Sequence, residues 1–382
     1  MSRLRTFLAF SFLLTAVYPA SAQIKIGITV SATGPAASLG IPERNAISLA
    51  PKEIAGKTVE YIILDDASDP TSARRNIERF TTESNVDLVI GPSTSPASLA
   101  TIEVIGRTKT PMISLGASRA IIYPMDDNKK WSFKTPYNDA TTAAATVKHM
   151  KSSGVKSVAT IAFNDAYGEG WVKEFAPLAE KAGIKLVASE LFARTDTSVT
   201  AQILKIVSGN PDAVLVVASG TPGVLPQASL FERNYKGKVY QTTGVVNNDF
   251  LRVGGKSVEG TFIAADPITV AGQLPDGHPA KSAGIGFTKR YDEAFGRGST
   301  SAFSGYAWDA IMLAEAAIPV ALKSAAPGTE AFRSALRNAI EASKAVATTA
   351  GPVTMSADDH NGYSDDAPVM ITVKNGLFSI NR

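Results

Sequence analysis

Cysteine is absent from this sequence. That excludes disulfide staples, thiolate metal sites, a cysteine nucleophile and lipid attachment through a thiol. Histidine is scarce: His149, His278 and His360 are the only three, far apart and in unlike contexts. None sits in a strand-end loop where it could act as the base of a hydrolase. The run Asp358-Asp359-His360-Asn361-Gly362 has too few oxygen ligands for a calcium loop and reads as a turn. No G-x-S-x-G elbow, P-loop or dinucleotide fingerprint occurs. Glu341-Ala342-Ser343-Lys344 reads as a helix end, not a catalytic Ser–Lys pair. Charged residues make up only 19% of the chain and the formal net charge is +3, too little to imply a nucleic-acid partner. After the first residues no apolar run is long enough to span a bilayer. No metal and no cofactor are implied, and no enzyme activity is expected.

What the chain does have is 382 residues, 45% of them hydrophobic, which suits two α/β domains. Its start reads as a secretory signal. Arg3 and Arg5 precede an apolar run over 7–17, and Ala20-Ser21-Ala22 supplies a small-residue cleavage site. Cleavage after Ala22 is expected, with residues 1–22 outside the fold. The two arginines supply two of the three units of net positive charge. An exported chain without disulfides must be stable through its core.

The stretch 86–118 carries the most information. Residues 86–90 are a short apolar, β-branched run, the mark of a buried strand. Gly91-Pro92 ends it. Ser95 followed by Pro96 then reads as a helix N-cap and first helical residue, with the helix running to about Gly106. Pro111-Met112-Ile113-Ser114 starts the next strand, which ends in Leu115-Gly116-Ala117-Ser118. Two small-residue loops therefore lie at the carboxyl ends of neighbouring strands, where open α/β sheets bind ligands. A helix amino terminus offers free N–H groups and a partial positive charge. The hydroxyls of Ser93, Thr94, Ser95 and Ser118 add donors, and no side chain here does acid–base chemistry. Such a site would hold a carboxylate unchanged; the plainer alternative is that Ser95 only caps its helix.

Strand and helix alternate on both sides of this unit. Strands are expected at 24–30 and 59–64, with helices from about Pro42 and from the cap-plus-proline pair Asp69-Pro70. Near Pro136-Tyr137-Asn138-Asp139 the pattern restarts, giving strands at 157–163, 184–190, 213–217, 239–243 and 261–265. Long helices follow at about 283–295, 304–323 and 330–343. Lys374-Asn375-Gly376 marks a terminal hairpin. The expected architecture is two doubly wound α/β lobes joined by a multi-stranded hinge, with a ligand cleft between them. The first lobe comprises residues 23–138 plus 268–347, and the second 139–267 plus 348–382.

Four clusters link this chain to a family: Ile26-Gly27 with Thr33-Gly34-Pro35; Ile90 through Ser95; Pro111 through Ser114 with Gly116-Ala117-Ser118; and Tyr167-Gly168-Glu169-Gly170. In this order, behind a signal sequence, they resemble the periplasmic solute-binding proteins of branched-chain amino-acid-type ABC transporters. The resemblance covers the whole mature chain. It implies the type I periplasmic binding protein fold, a periplasmic location, a monomer, and a membrane permease as partner. It further implies that Thr94, Ser95 and Ser118 hold a ligand carboxylate. Gly116, beside Ala117, matches a position whose carbonyl accepts from the ammonium of an amino acid. Tyr167 matches an aromatic that closes over the ligand from the second lobe; the plainer alternative is a core ring beside Trp171. Phe303 is mostly core and could border the cleft.

Two positions depart from the amino-acid binders of that family. Val246 stands where they carry an acid that pairs with the ligand ammonium, and Leu39 stands where they often have an aromatic. A buried ammonium without an ionic partner costs several kcal/mol, whereas a neutral hydrogen bond returns only about 1 kcal/mol. The expected ligand is therefore an aromatic carboxylate without an α-ammonium. Branched-chain amino-acid binding, and presentation of the ligand to a membrane signalling receptor, are the alternatives. Asp165 or Asp249 could supply the missing acid; their plainer roles are a strand-end cap and a turn or helix cap.

Overall fold

The computed structural model describes residues 23–381; the expected signal segment lies outside the described residues. β1 (Ile24–Val30) leads into α1 (Ala37–Ser48), β2 (Glu53–Ile54), β3 (Lys57–Asp65) and α2 (Pro70–Thr82). Then come β4 (Leu88–Ile90), α3 (Ser95–Thr108), β5 (Met112–Ser114) and β6 (Ser132–Lys134). These strands form one sheet in the order β2-β3-β1-β4-β5-β6, parallel apart from the β2–β3 hairpin. Its central strands are buried on both faces, which is why they read as unbroken apolar runs.

α4 (Asp139–Ser152) opens the second half, followed by β7 (Ser157–Phe163), α5 (Ala166–Lys181), β8 (Lys185–Phe192), α6 (Thr200–Ser208) and β9 (Ala213–Val217). α7 (Val224–Glu232), β10 (Lys238–Gln241), α8 (Asn248–Gly254) and β11 (Phe262–Ala265) continue the alternation. After α9 (Lys281–Phe295), α10 (Ala302–Ala321) and α11 (Glu330–Glu341) comes a short pair, β12 (Val346–Thr348) and β13 (Gly351–Val353). The chain then returns to finish the second sheet with β14 (Val369–Lys374) and β15 (Leu377–Ile380), in the order β15-β14-β11-β10-β9-β7-β8. β14 runs antiparallel to β11, with Ile263 opposite Ile371.

Two expectations shift. α1 begins at Ala37, with Pro42 inside it. Its buried Leu39, Glu43, Ala46 and Ile47 recur every three or four residues and form one face, and α1 packs on α10. Packing of that kind outweighs the one backbone bond that proline removes. In α3 the N-cap is Thr94, not Ser95. Thr94 has the extended backbone a cap needs, and its Oγ1 accepts from the Ala97 N–H at 3.4 Å. Ser95 is thus the first helical residue. Asp69 caps α2 as expected, accepting from the Ser72 N–H at 2.7 Å.

Candidate functional site

The loops that leave the carboxyl ends of the parallel strands of both sheets converge on one cavity. It holds about 350 Å3 of space free of protein atoms, mouth included. From the first half come Leu39 on α1, Ser93, Thr94 and Ser95 after β4, and Leu115 and Ala117 after β5. α10 adds Phe303 and Tyr306. From the second half come Tyr167 on α5, Arg194 after β8, Ser219 after β9, and Thr243 and Gly244 after β10. This is the crevice outside the strand ends where α/β sheets hold ligands.

Seven of the residues singled out in the sequence line this cavity together: Leu39, Ser93, Thr94, Ser95, Ala117, Tyr167 and Phe303. Val246, Ser118 and Gly116 do not. Val246 is fully buried in the core, and its carbonyl accepts from the Ala302 N–H at the start of α10. Thr243 and Gly244 hold the wall instead, because the tight turn over Thr243–Val245 directs the chain inward before Val246 is reached. Ser118 sits behind Ser95: its N–H donates to Ser95 Oγ at 3.1 Å, and its own Oγ accepts from the Ala120 N–H at 3.3 Å. Gly116 is also set back, donating to Ser114 Oγ at 3.0 Å. A Cβ there would lie 3.1 Å from the Ser95 amide nitrogen, so the glycine keeps that amide unobstructed.

The first-half wall is rich in donors. Among the described residues the N–H groups of Thr94, Ser95 and Ala117 donate to no protein acceptor. Pro96 has no N–H, so the start of α3 offers Ser95 as its open amide. Ser93 Oγ accepts from the Ser31 N–H at 2.9 Å and donates to Glu43. Burial pushes the Glu43 carboxyl, behind the wall, well above the usual range.

The second-half wall brings in what the sequence did not reveal. Arg194 Nε donates to Asp165 Oδ2 at 2.6 Å, its Nη1 donates to Ser219 Oγ at 2.8 Å, and its guanidinium lies over the Phe163 ring. Asp165 also accepts from the Tyr167 and Gly168 N–H groups, so it is the cap of α5. Asp249, in the first turn of α8, pairs with Arg252 at the surface. Neither acid lines the cavity. Tyr167 donates to Thr242 Oγ1 at 2.7 Å. A Cβ on Gly220 would fall 2.6 Å from Ser38 Oγ and 2.9 Å from Leu39 Cδ1, so the two halves touch tightly beside Leu39. A cation in a strand-end loop was the one sequence signal for Arg194; Ser219, Thr243, Gly244 and Tyr306 carry none.

A cavity enclosed between two α/β lobes is the architecture of the type I periplasmic binding proteins. A family profile described as periplasmic binding protein matches residues 23–376, and the chain belongs to that family. It is 24% identical over 272 residues to the Leu/Ile/Val-binding protein BraC3 of Rhizobium johnstonii, covering 69% of this chain and 72% of that one. A crystal structure of an extracellular ligand-binding receptor from Rhodopseudomonas palustris HaA2 is 43% identical, with a TM-score of 0.92 over 94% of this chain and 100% of that one. A solute-binding protein of an R. palustris ABC transporter, solved in complex with benzoate, shares the fold at 21% identity, with a TM-score of 0.78 over 94% of this chain and 95% of that one.

Proposed function

We propose that this protein is the periplasmic receptor of an ABC importer for a small aromatic carboxylate lacking an α-ammonium. The observation that carries the reading is the composition of the cavity wall. It offers open amides at Thr94, Ser95 and Ala117 and the Arg194 guanidinium, with apolar surface from Leu39, Leu115 and Phe303, and no acidic side chain among the lining residues. A carboxylate on an aromatic ring matches both kinds of surface. An α-ammonium would find no acidic side chain among the lining residues, since the Asp165 carboxylate is taken by Arg194, and would be left buried and unpaired. That the fold takes an aromatic carboxylate is supported by the benzoate-bound neighbour. Capture proceeds as a population shift: the ligand touches both walls only when the lobes are closed, so it favours the closed form, which docks on the permease.

The names of the Leu/Ile/Val-binding relatives favour a second reading, branched-chain amino-acid capture. It would need an acid for the ammonium, and Asp266 stands one layer back, behind Tyr306 and Thr243. Titration calorimetry with benzoate, 4-hydroxycinnamate and leucine separates the two. Micromolar binding of an aromatic acid, about −8 kcal/mol, with no heat from leucine is the expected result. Micromolar leucine binding with silent aromatic acids would overturn the proposal.

A further inference from the structure

The cavity lining has a part rich in free donors and a part whose hydroxyl protons are already committed. Its first wall presents the Thr94, Ser95 and Ala117 N–H groups. Elsewhere on the lining stand the hydroxyls of Tyr306, Thr243 and Tyr167, and their protons are committed. Asp266, fully buried just after β11, receives the Tyr306 hydroxyl at 2.5 Å and the Thr243 hydroxyl at 3.0 Å on the same oxygen, Oδ2. The two hydroxyl oxygens are 2.9 Å apart. An ionised carboxylate gives no proton, so the trio has two protons for three contacts. However the hydroxyls rotate, sending a proton into the cavity takes a bond from Asp266, whose Oδ1 already has no partner among the described residues. Tyr306 and Thr243 are thus left to offer lone pairs. Tyr167 behaves alike: its hydroxyl donates to Thr242, which donates in turn to the Ala218 carbonyl at 2.9 Å.

We propose that the ligand carries, besides its carboxylate, a hydroxyl that donates to the oxygens of Tyr306 and Thr243, and that Asp266 is the positioning residue that makes them acceptors. The preferred class is then a hydroxylated aromatic acid over its unsubstituted parent. This rests on the aromatic-carboxylate reading above. Burial pushes the Asp266 carboxyl up to about 6, against the pull of the two hydroxyls, so at pH 7.5 it is mostly ionised.

The test is calorimetry at pH 7.5 with matched pairs, benzoate against 3- and 4-hydroxybenzoate and cinnamate against 4-hydroxycinnamate. The proteins are the wild type, Asp266→Asn and Tyr306→Phe. The wild type should favour a hydroxylated member at least about tenfold. Asp266→Asn lets a hydroxyl turn outward and Tyr306→Phe removes an acceptor, so each should shrink that ratio below about threefold. Equal affinity for both members of every pair in the wild type would overturn this inference and leave the aromatic reading standing. No binding of any aromatic acid would overturn that reading as well. An undiminished ratio in the variants would remove Asp266 and Tyr306 from the recognition. Should Asp266→Asn not fold, Thr243→Val with Tyr306→Phe decides the matter.

Discussion

The first wall of the cavity is built mainly from two short runs of consecutive residues, whereas the second is assembled from single side chains on four separate segments. Ser93-Thr94-Ser95 and Leu115-Gly116-Ala117 present mainly backbone, held by Thr94 capping α3 and by the Ser118 N–H on Ser95 Oγ. Tyr167, Arg194, Ser219 and Thr243 follow β7, β8, β9 and β10. The first wall offers amides whose direction is set by the main chain. The second can change its chemistry one residue at a time without disturbing a strand. Relatives of one fold can therefore keep the first wall and differ in ligand through the second.

Variants at the contact between the halves should break this arrangement most severely. Gly220 has a φ of +65°, and a side chain there would meet Ser38 and Leu39. Gly220→Val should keep the lobes apart and weaken the aromatic ligand at least about a hundredfold, or about 2.7 kcal/mol. Scattering should then show no ligand-induced compaction; compaction as in the wild type would refute the role given to this contact. Next come variants on single walls. Arg194→Met removes charge-assisted bonds of about 1.5–3 kcal/mol, so a tenfold to hundredfold loss is expected, with a lower Tm because Asp165 loses its partner. Ser95→Ala leaves the Ser118 N–H without its acceptor and should cost about 1 kcal/mol, roughly fivefold. Calorimetry that ranks these two the other way round would assign the anion's main grip to the first wall alone.

Stability should respond to pH through Asp309, buried on α10. Burial pushes the Asp309 carboxyl up to about 7, although the Thr349 N–H donates to it at 2.7 Å. A carboxyl that holds its proton more tightly when folded stabilises the fold at low pH. That contribution is complete below about pH 4 and is lost as pH rises through 7. Asp309→Asn removes the titration and keeps an acceptor for Thr349. Its Tm should fall less between pH 5 and pH 8 than that of the wild type in thermal denaturation, and an unchanged difference would contradict the assignment. The smallest effect is expected at Asp249, whose partner Arg252 is an exposed surface contact. Asp249→Ala should leave both ligand affinity and Tm within error; any loss of affinity would return this acid to the list of ligand contacts.

Local signals made the alternating strands, the Asp69 cap and the terminal hairpin legible in the sequence. Each depends on residues within a few positions of one another. The strand-end loops of the first wall were legible for the same reason, apart from the one-residue shift of the α3 cap to Thr94 and the set-back places of Gly116 and Ser118. Arg194, Ser219 and Tyr306 were not. Their place in the cavity depends on where strand ends and α10 lie in space, a distance relation that no periodicity encodes. Val246 shows the converse: its position in the chain suggested the wall, and a single tight turn took it into the core.

β14 and β15 are the last strands of the chain, yet they complete a sheet begun near Ser157. Between them and β11 the chain travels away to supply α10, which packs on α1 near the opposite terminus. Neither half can therefore be excised as a contiguous fragment. A truncation after Pro267 would strip the second sheet of its edge and uncover the apolar face of α1 in the same stroke. Assembly must wait for pairings across hundreds of residues, so the protein should fold slowly and as one indivisible unit.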